Sequence, residues 1–286
     1  MFSVAMLHAQ QPLTHTQHGQ VRTVVNAASS LMSMGGEVSV IGRRQWVGLD
    51  GAPTVFWGSG HMGFAKMGAT AGMNLRHESM AVEKLTEASV FFAKGVRISE
   101  SEYLGVSLNA GLSYMDGRFS QLDPQDPAFG EDMRETDALV GFGLLLYRPD
   151  RYYVGLSLPR LMLGSLGVSK GSRYDFRNIY HLTAGALFAL GTDFSFRPSL
   201  LVTYSEHLRP QADIGAMFFV QRAFGLGVNV RSYGSVAGLA QLNLGSLGVG
   251  YSYQFGTRNE TLNRGINNNT HEIGLTYRFG SMVGLL

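Results

Sequence analysis

The chain has 286 residues, with 23 Lys or Arg against 21 Asp or Glu, so its formal net charge is +2. This near balance gives no reason to expect nucleic acid as a partner, since nucleic-acid binders usually carry a strongly basic surface. Only 15% of the residues are charged and 37 are glycines, against about 25% charged and about 7% glycine in soluble domains. The chain has no Cys, which excludes disulfides, thiolate catalysis and Cys-ligated metal sites.

The N-terminal residues resemble the end of an export signal. Residues 1–9 contain an apolar stretch followed by a Leu-His-Ala step that suits signal cleavage, although no basic region precedes it. We therefore interpret residues 1–9 as a signal-peptide remnant and residues 10–35 as an N-terminal periplasmic or plug segment. The main domain is expected over residues 36–280, with residues 281–286 as a C-terminal tail.

Hydrophobic residues alternate with a period of two through most of the chain. Between Leu104 and Tyr114 every second residue is apolar, while the intervening positions hold Gly, Ser and Asn. The same alternation runs from Leu247 to Phe255. It lies in the uncharged window Ser232–Thr257, whose six glycines a membrane-spanning helix would tolerate poorly. Together the repeats predict about fourteen strands of about ten residues, the length that a tilted strand needs to cross a bilayer.

The connections between these strands also alternate in length. Tight turns are expected after every second strand, as at Arg148–Arg151 and Gly245–Ser246. The other connections are mostly long, and the pattern places them at residues 44–53, 77–85, 115–137, 160–178, 205–210 and 256–270. Bacterial outer-membrane barrels join their strands in this way, by short periplasmic turns and longer outer loops. A soluble β-sandwich, the alternative fold, predicts no such alternation.

The predicted fold is therefore all-β, a transmembrane antiparallel up-and-down β-barrel of about 14 strands in the cell outer membrane. Its polar face of Gly, Ser, Thr and Asn suits a crowded lumen, where charged groups would be left unpaired. The last predicted strand runs from His271 to Phe279. Its apolar positions alternate along the strand, and the last two of them are the aromatic residues Tyr277 and Phe279. These two residues resemble the terminal signal that the outer-membrane assembly machinery recognises.

No catalytic, cofactor or metal site follows from the short motifs. Gly58–Gly63 fits GxGxxG, but a strand follows it where a dinucleotide site needs a helix. Gly167–Gly171 fits GxSxG, but it lies in a long loop without the strand and helix of a nucleophile elbow. The acidic loop over residues 116–132 lacks the ligand spacing of a calcium site. An outer-membrane lipase inside a barrel stays an open but unsupported alternative.

A family resemblance appears in the segment from Arg43 to Thr54. It reads RRQWVGLDGAPT and resembles the R-x-Q-W-x-G-x-x-G-A-P segment of the PorP/SprF family of type IX secretion in Bacteroidetes. Further matches occur in family order over nearly the whole chain, at Asp126–Phe129, Tyr152–Pro159 with Arg160 and Leu161, Tyr180–Gly185, Arg197–Leu201, His271–Ile273 and Tyr277–Phe279. The chain departs from the family at Asn26–Ser29, where members carry an Asn-Pro-Ala-Tyr-like segment.

The resemblance implies a non-enzymatic outer-membrane barrel that works with the type IX secretion and gliding machinery. Its implied partners are the periplasmic lipoprotein ring, peptidoglycan-linked components, the C-terminal domains of secreted adhesins or effectors, and outer-membrane lipid. No nucleic acid and no cofactor are implied. The alternative function is an outer-membrane channel or porin for small solutes, which differs from a docking barrel in having an open lumen.

The Trp46–Pro53 loop is the first candidate site, because it combines an aromatic anchor with tight-turn residues. We predict a partner-binding or plug loop made of Arg43, Arg44, Gln45, Trp46, Asp50, Gly51 and Pro53. The alternative for this loop is a structural turn that only fixes the strand register. Candidate outer-loop contacts are Asp126, Pro127 and Phe129.

Overall fold

The computed structural model describes residues 14–122, 131–163, 178–206, 208–232, 234–255 and 269–279. Within these ranges the chain forms fifteen β-strands and three short 3₁₀ helices. None of the helices found there is long and apolar enough to pass through a membrane. The described chain is thus almost wholly β, as the period-two pattern predicts.

The strands follow one another in a simple order along the chain. Their bounds are β1 Glu37–Arg44, β2 Thr54–Phe64, β3 Ala69–Met80, β4 Glu83–Arg97, β5 Tyr103–Gly117, β6 Met133–Arg148, β7 Tyr152–Met162, β8 Ile179–Ala186, β9 Phe188–Leu190, β10 Phe194–Ser205, β11 Gln211–Val220, β12 Phe224–Arg231, β13 Ser235–Leu244, β14 Leu247–Phe255 and β15 Thr270–Arg278. The 3₁₀ helices are Ala27–Met32, Ala65–Met67 and Phe119–Gln121.

The sheet closes on itself. Strand β1 pairs with β15 as well as with β2, from Glu37 opposite Arg278 to Arg44 opposite His271. Strands β8 and β9 are two parts of one barrel strand, because both pair with β10 and only Leu187 separates them. The protein is therefore a closed antiparallel barrel of fourteen strands, and the predicted fold is confirmed.

The two faces of the sheet differ as the alternation predicts. Along β5, Leu108 and Leu112 are 55% and 58% exposed, whereas Ser107 and Ser113 are 1% and 0% exposed. The same contrast runs around the barrel, with Val, Leu, Ile and Phe on the outer face. In a bilayer these apolar side chains contact lipid, and the backbone polar groups are satisfied by the neighbouring strands.

One predicted long connection is wrong. Residues 77–85 form a tight hairpin, since β3 continues to Met80 and pairs there with Glu83 of β4. Polar side chains suggest a loop by composition, but here they stabilise the strands by contacting one another. His77 Nδ1 lies 2.9 Å from Thr86 Oγ1, and Arg76 contacts a carboxylate on each strand. The strand ends that the remaining long connections join lie at the same end of the barrel as this hairpin, and we call it the long-loop end; the other end is the short-turn end.

The interior is more highly charged than predicted. Small residues do face the lumen, but buried ion pairs accompany them, such as Arg43 with Glu272 at 3.2 Å and Arg278 with Glu37 at 2.9 Å. In these two pairs the cation meets a carboxylate on the neighbouring strand, and an unpaired charge at this depth would be costly.

Candidate functional site: the filled lumen

Residues 14–35 run through the barrel from one end to the other. Thr14 contacts Gln211, the first residue of β11 at the long-loop end. At the short-turn end the Met34 carbonyl lies so close to Gly63 that a Cβ there would come within 1.8 Å of its oxygen. Every residue from Thr14 to Leu31 except Val24 is buried. We call residues 14–35 the lumen segment.

The short-turn half of the segment is held by a dense set of contacts, and we call Asn26–Leu31 the anchor. The Asn26 side chain accepts a hydrogen bond from the Ala28 N–H at 3.0 Å and donates to the carbonyls of Leu144 and Leu156 at 2.9 and 3.4 Å. Leu31 packs in an apolar cluster whose other buried members are Ala28, Ala93, Leu145, Tyr147, Tyr153, Leu187, Met217 and Phe219. Asn26 therefore ties the anchor to β6 and β7.

The long-loop half of the segment is Thr14–Gln20, which we call the tip. Its backbone binds one carboxylate on β15. The N–H groups of Thr16 and Gln17 donate to the two oxygens of Glu272 at 2.9 Å each. Arg43 of β1 donates to Glu272 at 3.2 Å and to the Thr16 hydroxyl at 3.1 Å. Glu272 and Arg43 form the Glu272 clamp, which is buried and joins the first strand, the last strand and the tip.

A second cluster holds the start of the tip. The Thr14 hydroxyl accepts hydrogen bonds from Gln211 at 2.8 Å and from Arg231 at 3.2 Å. Arg231 pairs in turn with Asp213 at 2.6 Å, and Gln211 donates to the same carboxylate group at 2.8 Å. Gln211, Asp213 and Arg231 are called the Asp213 clamp. Hydrogen bonds to charged groups are stronger than neutral ones, so both clamps fix the tip.

A cavity of about 90 Å³ lies beside the lumen segment. Trp57 and Val24 contribute apolar surface to this cavity, and Asn109 and Arg160 contribute polar groups. Arg160 also pairs with Glu87, which Arg76 contacts from the opposite side at 3.1 Å. The space is far smaller than the bore of an open porin.

The predicted residues of the Trp46–Pro53 loop do not come together as one side-chain site. Arg43 points into the lumen and is 1% exposed, whereas Arg44 and Asp50 are exposed. Gln45 closes the loop through its N–H to the Pro53 carbonyl at 2.9 Å.

The loop is nevertheless tied to its surroundings. The Gly51 carbonyl accepts from the Ala81 N–H in the β3–β4 hairpin at 2.9 Å, and the Val47 N–H donates to the Asn269 carbonyl at 3.2 Å. Trp46 is partly buried and has a φ of 48°, a left-handed conformation that is uncommon for a bulky residue. The loop thus has a defined shape at the long-loop end.

Asp126, Pro127 and Phe129 lie outside the described residues, as does the GxSxG match at Gly167–Gly171. Two residues that flank positions 123–130 contact each other. Ser120 donates to Asp132 through its N–H at 3.2 Å and its hydroxyl at 2.8 Å. These hydrogen bonds lower the pKa of the Asp132 carboxyl below its usual range.

Tyr277 and Phe279 both face outward, 48% and 46% exposed, with their rings edge to face at 5.0 Å. This position suits the outer surface of the last strand, and their role in assembly stays a prediction. The GxGxxG match at Gly58–Gly63 lies within β2. Among the described residues, no group of three or more His, Asp or Glu side chains could hold a metal ion.

Glu272, Asp213 and Arg231, which bind the tip, are not among the residues that the sequence motifs predict as a site. A signal was present, because each is a charged residue at an inward position of the period-two pattern, in a strand that carries at most one other charged residue. Charged residues at lumen-facing positions are therefore the feature to examine in such a chain.

Comparison with known proteins agrees with this architecture. The sequence profile of a family described as type IX secretion system membrane protein PorP/SprF matches residues 7–277. No curated protein matches the chain. Among solved structures, the CymD monoaromatic hydrocarbon channel is similar, with a TM-score of 0.55 and 11% identity over 92% of this chain and 93% of that one. The Pseudomonas putida toluene transporter TodX has a TM-score of 0.48 and 9% identity, over 90% and 92% of the two chains.

The Ralstonia pickettii toluene transporter TbuX has a TM-score of 0.46 and 11% identity, over 90% of this chain and 93% of that one. At such identities the likeness concerns the fold alone. The family profile, in contrast, spans nearly the whole sequence. The chain therefore belongs to the PorP/SprF family of type IX secretion system membrane proteins, and it is a β-barrel of the outer membrane.

Proposed function

We propose that the protein is a non-enzymatic docking barrel of the type IX secretion and gliding machinery, and that its lumen is plugged. Membership of a secretion-system membrane family supports partners within that machinery. The observation that carries the proposal is the lumen segment, which is buried almost throughout and tied to the wall by both clamps and by the anchor. An open porin, in contrast, keeps a water-filled lumen.

The two ends of the barrel suit different partners. Outer-membrane barrels place their short turns in the periplasm and their long loops outside. On this orientation the short-turn end faces the periplasmic lipoprotein ring and the peptidoglycan-linked components. The long-loop end, with the Trp46–Pro53 loop, faces the C-terminal domains of secreted adhesins or effectors.

Co-purification from native outer membrane tests the docking role. A tagged barrel should retain ring lipoproteins or a secreted client through mild detergent extraction. Deleting the gene should stop the secretion or surface attachment of that client. Purification of the barrel alone, together with unchanged secretion in the deletion strain, would contradict the proposal.

A channel for small solutes is the second candidate, and the cavity beside the segment is the observation that favours it. The similar CymD is described as a monoaromatic hydrocarbon channel. Reconstituted protein in planar bilayers separates the two functions, because a channel conducts steadily and a plugged barrel does not.

A further inference from the structure

We propose that the two clamps form a receptor site for a polar peptide supplied by a partner, and that the tip occupies this site in its absence. The inference rests on the docking role proposed above and gives the chemistry of one docked partner. That partner is a peptide that presents two successive backbone N–H groups to one carboxylate and a hydroxyl oxygen nearby.

The wall recognises features that many peptides share. The Glu272 carboxylate binds the tip through the main-chain N–H groups of Thr16 and Gln17. The main-chain carbonyl of Glu272 also accepts one side-chain hydrogen bond, from Gln17 Nε2 at 3.3 Å. The Asp213 clamp binds only the hydroxyl oxygen of Thr14, and Arg43 binds that of Thr16. A Ser or Thr peptide from another protein can make the main-chain and hydroxyl contacts, since main-chain N–H groups are common to all residues except Pro.

Three side chains of the tip carry buried polar atoms that have no hydrogen-bond partner among the described residues. Both ring nitrogens of His18 are buried without a hydrogen-bond partner in the described part of the chain, and so are Gln17 Oε1 and Gln20 Nε2. Buried polar atoms without partners weaken binding, because each has lost its contact with water and gained nothing. A peptide without these groups, or with partners for them, binds the same clamps more favourably.

The anchor, in contrast, is well satisfied and lies in the opposite half of the lumen. Asn26 forms hydrogen bonds to two strands, and Ala28 and Leu31 are fully packed. The barrel wall is closed by its own strand pairing from β1 to β15. The tip can therefore leave its site while the anchor and the wall stay in place.

The chain offers a means to lock the tip. A Cβ at Gly19 would lie 3.7 Å from the Ser199 Cβ on β10, and disulfides have a mean Cβ separation of about 3.8 Å. The chain has no native Cys, so the double variant Gly19→Cys/Ser199→Cys contains a single thiol pair. Its oxidised form holds the tip in the site and its reduced form releases that restraint.

The test uses a synthetic peptide with the sequence of residues 14–22 and purified barrel in nanodiscs, without secretion partners. We expect a barrel lacking residues 14–20 to bind this peptide and the oxidised double variant not to bind it. A peptide that is N-methylated at the Thr16 and Gln17 nitrogens cannot donate to Glu272, and it should bind at least about tenfold more weakly. Heat-modifiable gel migration checks that each barrel is folded.

Three results would overturn the proposal: no peptide binding to the tip-deleted barrel, equal binding to the locked barrel, or equal binding of the N-methylated peptide. If the tip-deleted barrel does not fold, the reduced and oxidised double variants are compared at about 10 mM peptide. This concentration competes with a tethered tip, whose effective concentration is on the order of mM. Because no secretion partner is present, failure here is distinguishable from failure of the docking role.

Discussion

Arg43 and Glu272 face each other across the seam where the barrel closes. They are register partners on β1 and β15, their ion pair is 3.2 Å long, and both side chains are almost completely buried. The same carboxylate accepts two backbone N–H groups of the tip. One pair of residues therefore couples closure of the barrel to the filling of its lumen.

Breaking this pair should destabilise the protein. Arg43→Gln leaves Glu272 buried without its cation, and removing one partner of a buried pair costs about 3–5 kcal/mol. We expect the variant to unfold at a lower urea concentration than the native protein, as measured by heat-modifiable gel migration. We also expect proteases to cleave its tip faster.

The matched control for this variant is Arg134→Gln. Arg134 pairs with Asp116 at 3.2 Å, but its side chain is 66% exposed, so its loss should cost at most about 1 kcal/mol. Equal midpoints for the two variants would show that the buried pair contributes nothing particular.

Gly63 should not accept a side chain. Its Cβ would lie 1.8 Å from the Met34 carbonyl oxygen, a backbone atom that moves only if the lumen segment shifts. We expect Gly63→Ala to destabilise the barrel by about 1–3 kcal/mol, the usual cost of overpacking. Gly238→Ala is the control in another strand, since nothing lies within 4 Å of its added Cβ. Equal unfolding midpoints would contradict the observed path of the segment.

Trp46 distinguishes a binding loop from a structural turn. At a φ of 48° glycine is less strained than alanine. If Trp46 only shapes the turn, Trp46→Gly should preserve secretion better than Trp46→Ala. If its ring binds a partner, both variants should reduce client secretion by similar amounts while the barrel stays heat-modifiable. Unchanged secretion in both variants would contradict the binding role.

The wall of the barrel could be predicted from sequence because its signal is local. Alternation of apolar and small residues depends only on neighbours along the strand, as in Leu104–Tyr114, and each strand repeats it. The β3–β4 hairpin was missed because His77 and Thr86 stabilise the strands by a contact across the hairpin, which composition does not reveal.

The filled lumen could not be predicted in the same way. The period-two pattern shows that Arg43 and Glu272 both face the lumen. Their contact, however, depends on the pairing of residues that are 229 positions apart. The path of residues 14–35 depends on still more distant contacts, such as that of Thr16 with Glu272, 256 positions away. Non-local pairing of this kind is fixed by the closed topology and not by any short motif.

The central claim is that the lumen segment plugs the barrel, and conductance in planar bilayers tests it most directly. We expect the intact protein and the oxidised Gly19→Cys/Ser199→Cys variant to show no steady conductance. A variant lacking residues 14–35 should conduct, because the clamps and the short-turn half of the lumen lose what fills them. Steady conductance by the intact protein, equal to that of the deletion variant, would contradict the claim.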